Sequence, residues 1–185
     1  MKKILLLIML LIPFNVVAMS ASSMVAVDLD NDYVYFDANK DDKRLIASIT
    51  KIMTTIVTIE NIDINKEITV GKEVLKAYGS AIYINVGEKI TIRDLLYGLI
   101  MRSGNDAAVV LAKNVAGSME GFAHLMNELA SNIGMKNSNF VNAHGLEEND
   151  GSANYSTAYD MALITKYAMN LSLIHISEPT RQAEI

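Results

Sequence analysis

The chain has 185 residues, with 16 lysines and arginines against 21 aspartates and glutamates, a formal charge of −5, three histidines and no cysteine. That acidic balance leaves no basic stripe for nucleic acid, and without thiols there is no disulfide framework. Three histidines without cysteine argue against a zinc site of the usual ligand spacing, and no metal or cofactor is expected.

Lys2 and Lys3 precede an apolar run over 4–13, and Val16 and Ala18 suit the small-residue positions before a cleavage site after Ala18. Residues 1–18 therefore read as a signal peptide. The run is shorter than the roughly 20 residues of a membrane span, and Pro13 and Asn15 interrupt it. The polypeptide is expected to be exported to the cell-wall or periplasmic face of the cytoplasmic membrane. The chain beyond Ala18 is long enough for one domain with a core, and it has neither internal repeats nor a low-complexity linker.

Residues 24–36 alternate around Asp30-Asn31-Asp32, which predicts a β-hairpin with a polar turn. The apolar run over 48–59 predicts a buried helix. Ile68-Thr69-Val70 and Ile90-Thr91-Ile92 are short β-branched runs on either side of a stretch containing Gly79 and Gly87. Two helices, 92–101 and 106–115, flank Ser103-Gly104-Asn105. An amphipathic helix is predicted over 121–133, with Gly134 as its left-handed terminator. Ser156 or Thr157 would cap the helix at 161–169, Asp160 standing three residues after Thr157. Strands early and helices in the middle fit an α+β fold, an antiparallel sheet with a helical subdomain. Met53, Met101, Met126 and Met161 fall on apolar helical faces and read as core rather than cofactor contacts.

Ser48-Ile49-Thr50-Lys51 carries the first chemical signal. A serine three residues ahead of a lysine at the start of a helix puts hydroxyl and amine on one face. A serine hydroxyl needs a neighbouring base to become a nucleophile. Lysine can be that base where desolvation and the positive helix N-terminus lower its pKa. Such a spacing alone recurs by chance, but Ile49, Ile52, Met53, Ile56 and Val57 leave Lys51 little polar face. Ser103-Gly104-Asn105, on a short turn between two helices, could aim a second hydroxyl and an amide at the same place. His144 beside Gly145 reads as a structural loop residue rather than a general base. Glu147-Glu148-Asn149-Asp150 reads as a solvated loop.

Taken together, Ala47-Ser48-Ile49-Thr50-Lys51-Ile52-Met53-Thr54, Ser103-Gly104-Asn105-Asp106-Ala107-Ala108, His144-Gly145-Leu146 and residues 156–161 resemble the serine D-alanyl-D-alanine carboxypeptidases, the low-molecular-mass penicillin-binding proteins of peptidase family S11. The resemblance runs from about residue 22 to 170 and implies the β-lactamase/DD-peptidase fold. It implies that Ser48 is the acyl-ester nucleophile, Lys51 its proton acceptor, Ser103 a proton relay to the leaving amine and Asn105 a substrate-binding amide. The partners implied are peptidoglycan stem peptides ending in D-Ala-D-Ala, and β-lactams as acylating mimics. Membrane attachment would come only through a C-terminal anchor, which family members often carry.

The family's third motif, Lys-Thr-Gly, has no counterpart after Asn105. Residues 172–185 have no family likeness and resemble a translated stretch of library DNA. The expected organisation is thus a signal peptide at 1–18, an incomplete catalytic domain at 19–171 and a non-native tail at 172–185, with C-terminal strands missing and the fragment inactive by itself. Two alternatives stand beside the carboxypeptidase. A class A-like serine β-lactamase would want Ser-Asp-Asn at 103–105 and a Glu-x-x-Leu-Asn loop. A non-catalytic cell-wall peptide-binding domain is the other.

Overall fold

The residues from Thr50 to Thr58 offer water almost nothing but hydroxyls, and the helix they form, α1 (Thr50–Asn61), is buried nearly all round in the computed structural model. The structure describes residues 21–171; the leader read at 1–18 and the tail read at 172–185 lie outside the described residues. Buried hydroxyls would be costly without partners. Here Thr55 and Thr58 donate to the carbonyls of Lys51 and Thr54, one turn back. Thr54 instead reaches the carbonyl of Ala143 at 2.7 Å, tying the helix to a distant loop.

Four further helices pack around α1: α2 (Ile92–Arg102), α3 (Asn105–Ala116), α4 (Met119–Asn132) and α5 (Ala158–Met169). Met53, Ile56 and Val57 of α1 meet Leu95, Leu99, Val110, Leu111, Phe122, Met126 and Ile164 in one core. Each such side chain contributes about 1.5–3 kcal/mol on full burial. The start signals are local. Thr91 Oγ1 caps α2, Ser118 Oγ caps α4, and Thr157 Oγ1 accepts from the Asp160 amide at the head of α5. At the far end of α4, Gly134 (φ 86°) lets its own amide and that of Met135 reach back to the carbonyls of Ser131 and Ala130. This is the two-bond helix terminator for which a glycine is favoured.

The strands are short and antiparallel. β1 (Met24–Val27) pairs with β2 (Val34–Ala38), β3 (Arg44–Leu45) with β6 (Tyr155–Ser156), and β4 (Glu67–Thr69) with β5 (Lys89–Thr91). The architecture is α+β, as expected, but the described strands form three separate two-stranded ladders rather than one sheet. The β3–β6 pair has two residues on each side, too few to show an alternating pattern, and went unread in the sequence. Its position matters, because it brings the loop of residues 142–154 beside the segment that leads into α1. Among the described residues, no helix is long and apolar enough to cross a membrane.

The tightest approach between these parts is at Gly145. A Cβ there would stand 1.9 Å from the carbonyl oxygen of Ala47, and φ is already 86°. We expect Gly145→Ala to lower stability by at least about 2 kcal/mol, from left-handed strain plus forced displacement of the loop. Urea unfolding of the two proteins measures this; a loss below about 0.5 kcal/mol would mean that the loop does not need to lie against Ala47.

Candidate active site

Ser48, read as part of the first helical turn, lies in a 3-10 turn (Ala47–Ile49) that feeds directly into α1, which starts two residues later. Ala47 takes a left-handed conformation (φ 44°), uncommon for a residue with a Cβ. The result is an exposed serine directly ahead of a buried lysine. Lys51 is 3% exposed, and its Nζ stands 3.4 Å from Ser48 Oγ.

The amine has two shorter contacts. Nζ donates to Asn105 Oδ1 at 2.8 Å and to the backbone carbonyl of His144 at 2.9 Å. Neither oxygen can donate a hydrogen bond back, since the Asn105 amide nitrogen is turned to the carbonyl of Tyr78 at 2.7 Å. A neutral amine has two N–H bonds and one lone pair. With both N–H bonds held by these acceptors, the lone pair is left to face the Ser48 hydroxyl. Burial lowers the Lys51 pKa from 10.5 to about 8, because the ammonium loses its hydration. At neutral pH roughly one molecule in ten then carries the free base. The site can therefore deprotonate a serine without histidine.

The turn between α2 and α3 supplies the third group. Ser103 ends α2 in a left-handed conformation (φ 55°), and Asn105 opens α3, 3% exposed. Asn105 binds Lys51 as the sequence arrangement allows. Ser103 is half-buried, and among the described residues its hydroxyl makes no hydrogen bond to Ser48 or Lys51. Gly104 between them is tightly enclosed. A Cβ would come within 3.0 Å of Asp106 Oδ1 and 3.3 Å of the Gly98 carbonyl. Asp106 cannot easily move aside, since its carboxylate accepts from the amides of Ile82, Ile84 and Ala107.

Sequence reasoning passed over several residues that the site uses. Asp106, Thr50, Thr54, Asn142 and Asn154 are buried polar groups, and their signal was only that they stand within or beside apolar segments. His144 contributes through its backbone oxygen. Its imidazole Nδ1 accepts from the Leu146 amide at 3.1 Å, and burial, with the Lys51 charge, depresses its pKa against the opposing pull of Glu148. The acidic stretch is more than a solvated loop, because Glu148 Oε1 accepts from Asn142 Nδ2 at 2.7 Å and lies 3.7 Å from His144 Nε2. Met53 and Met126 are core as read, whereas Met101 is 65% exposed at the last turn of α2, beside the Ser103 turn.

A family model described as D-alanyl-D-alanine carboxypeptidase (peptidase S11) matches residues 13–184. The D-alanyl-D-alanine carboxypeptidase DacF of Bacillus subtilis is 36% identical over 154 residues, covering 80% of this chain and 39% of that protein. DacC of Escherichia coli is 36% identical over 169 residues, covering 85% of this chain and 40% of its own length. The crystal structure of the D-alanyl-D-alanine carboxypeptidase DacD from Francisella tularensis superposes with a TM-score of 0.78 at 35% identity, covering 85% of this chain and 39% of that one. The chain thus spans about two fifths of the length of the curated relatives it matches.

The amine itself can be watched. In protein with isotope-labelled lysines, one resonance should titrate near pH 8 and disappear in Lys51→Met. Because the folded value is the lower one, the unfolded chain holds more protons between about 8 and 10.5. Stability should rise with pH across that window, and less so in the variant. A Lys51 resonance titrating at the ordinary value would remove the proton-acceptor reading.

Proposed function

The chain belongs to the D-alanyl-D-alanine carboxypeptidase family, peptidase S11, and from that premise we propose that it serves to remove the terminal D-alanine of peptidoglycan stem peptides through an acyl-enzyme on Ser48. The observation that carries this reading is the Lys51 amine, buried, depressed in pKa and held by Asn105 and His144 with Ser48 as its remaining neighbour. Ser48 Oγ attacks the carbonyl carbon between the two D-alanines while its proton passes to Lys51. The developing oxyanion receives the backbone amide of Ser48 as one donor. The C–N bond then breaks, and Ser103 relays a proton to the departing amine. Asn105 Nδ2 exchanges the Tyr78 carbonyl for the substrate backbone. Water finally cleaves the ester, freeing Ser48 and the shortened peptide. β-Lactams acylate the same oxygen, and residues 1–18 direct export to the wall side of the membrane.

Two other readings fare worse on particular observations. A class A β-lactamase would place aspartate at 104, where a Cβ alone already crowds Asp106 and the Gly98 carbonyl. A domain that only binds wall peptides would have no use for a desolvated lysine behind an exposed serine, since burying an amine costs stability without helping recognition.

Labelled penicillin tests the reading on the full gene product. Ser48→Ala should abolish covalent labelling, because among the described residues no second hydroxyl is bonded to the Lys51 amine; retained labelling would remove Ser48 as nucleophile. Lys51→Arg keeps the charge but cannot give up its proton near neutral pH. Its acylation rate should fall by about 10²–10⁴, the usual contribution of a general base. Near-normal acylation by the arginine variant would reduce Lys51 to an electrostatic partner, and fast release of hydrolysed penicillin would favour the lactamase.

A further inference from the structure

The carbonyl of His144 is one of the two acceptors that orient Lys51, yet it belongs to a loop with no regular secondary structure around it. Two buried asparagines account for its position. Asn142 spans the turn from inside. Its Oδ1 accepts from the Gly145 amide at 2.7 Å, and its Nδ2 donates to the Leu146 carbonyl at 2.8 Å. The His144 carbonyl lies on the peptide whose nitrogen is Gly145 N, so Asn142 grips the very unit that faces Lys51. Asn154 in turn grips Asn142. Its Oδ1 accepts from the amides of Val141 and Asn142, and its Nδ2 donates to the Asn142 carbonyl and to Thr50 Oγ1, both at 2.9 Å. Thr50 is the residue next to Lys51 on α1. The chain of bonds is therefore closed: Lys51, His144, Asn142, Asn154, Thr50 and back along the helix.

We infer that Asn142 and Asn154 are positioning residues for the base, fixing the His144 carbonyl against Lys51 so that the amine keeps its lone pair on Ser48. This rests on the acyl-enzyme reading of Ser48 and Lys51. Both side chains are essentially unexposed, and among the described residues every buried side-chain nitrogen and oxygen has a partner. Neither asparagine side chain hydrogen-bonds Ser48, Ser103 or Asn105. Their effect on chemistry passes through a backbone oxygen, where an amide can provide both donor and acceptor and a carboxylate cannot.

Asn154→Asp keeps the acceptor for Val141 and Asn142 but loses both donors. Thr50→Val removes only the last link and preserves side-chain shape, so it stays informative if the aspartate variant folds poorly. The acylation rate constant at saturating penicillin, the half-saturating concentration and the final labelling stoichiometry are measured from pH 6 to 10 on the full gene product. A positioning role lowers the rate constant by at least tenfold in Asn154→Asp and at least threefold in Thr50→Val, with half-saturation and stoichiometry unchanged. The deficit persists above pH 9, where Lys51 is already neutral. Rate constants within twofold of the parent, or a loss seen only as fewer labelled molecules, overturn the inference while leaving the acyl-enzyme reading intact. A parent protein that takes no label overturns both.

Discussion

An ammonium withdrawn from water costs several kcal/mol unless its donors are met or its proton is given up, and Lys51 is in that position. Each element around it answers one part of that demand. The α2–α3 turn delivers the Asn105 oxygen, the 142–146 loop delivers the His144 oxygen, and the 3-10 turn before α1 leaves Ser48 on the open side. Helix packing alone would bury the amine. It takes the polar framework to make burial chemically useful, because two fixed acceptors decide where the lone pair is aimed.

The framework is also economical in its connections. Thr54 and Thr50 reach from α1 to Ala143 and Asn154, so the helix that carries Lys51 is fastened to the loop whose carbonyl meets its amine. The short β3–β6 ladder fastens the same loop from the other side, by pairing Tyr155 and Ser156 with the strand just ahead of Ser48. Ser48, Lys51 and the His144 carbonyl are thus tied into one connected unit, the kind of support that holds neighbouring groups within fractions of an ångström.

Much of this was legible in the sequence, and the parts that were not share a cause. Helices α1 to α5 announced themselves through apolar spacing and through caps such as Thr157 and Gly134, all of them local signals. Ser48, Lys51, Ser103 and Asn105 were legible as motif residues, and the structure brings Ser48, Lys51 and Asn105 into contact. Asn142 and Asn154 could not be read in this way, because an asparagine in a loop looks the same whether it faces water or closes a buried network. Two-residue strands carry no alternation, so β3 and β6 were invisible. The tie at Glu148 was hidden for a related reason: an acidic cluster gives no sign that one partly exposed carboxylate also accepts from a buried asparagine. Met101 shows the reverse, an apolar residue in helical register that the turn after α2 leaves uncovered.

The enclosure of Gly104 bears on how such a site can change over generations. Any side chain at 104 crowds a carboxylate that three backbone amides hold in place, so the substitution that would move Ser-Gly-Asn towards Ser-Asp-Asn is strained while Asp106 stays. Removing Asp106 first would strand those three amides, each costing about 1–3 kcal/mol where no water replaces the lost acceptor. Both orders pass through a damaged intermediate. The two residues therefore form an epistatic pair, and a lineage carrying them is held to its own version of the turn by the interval between two single mutations.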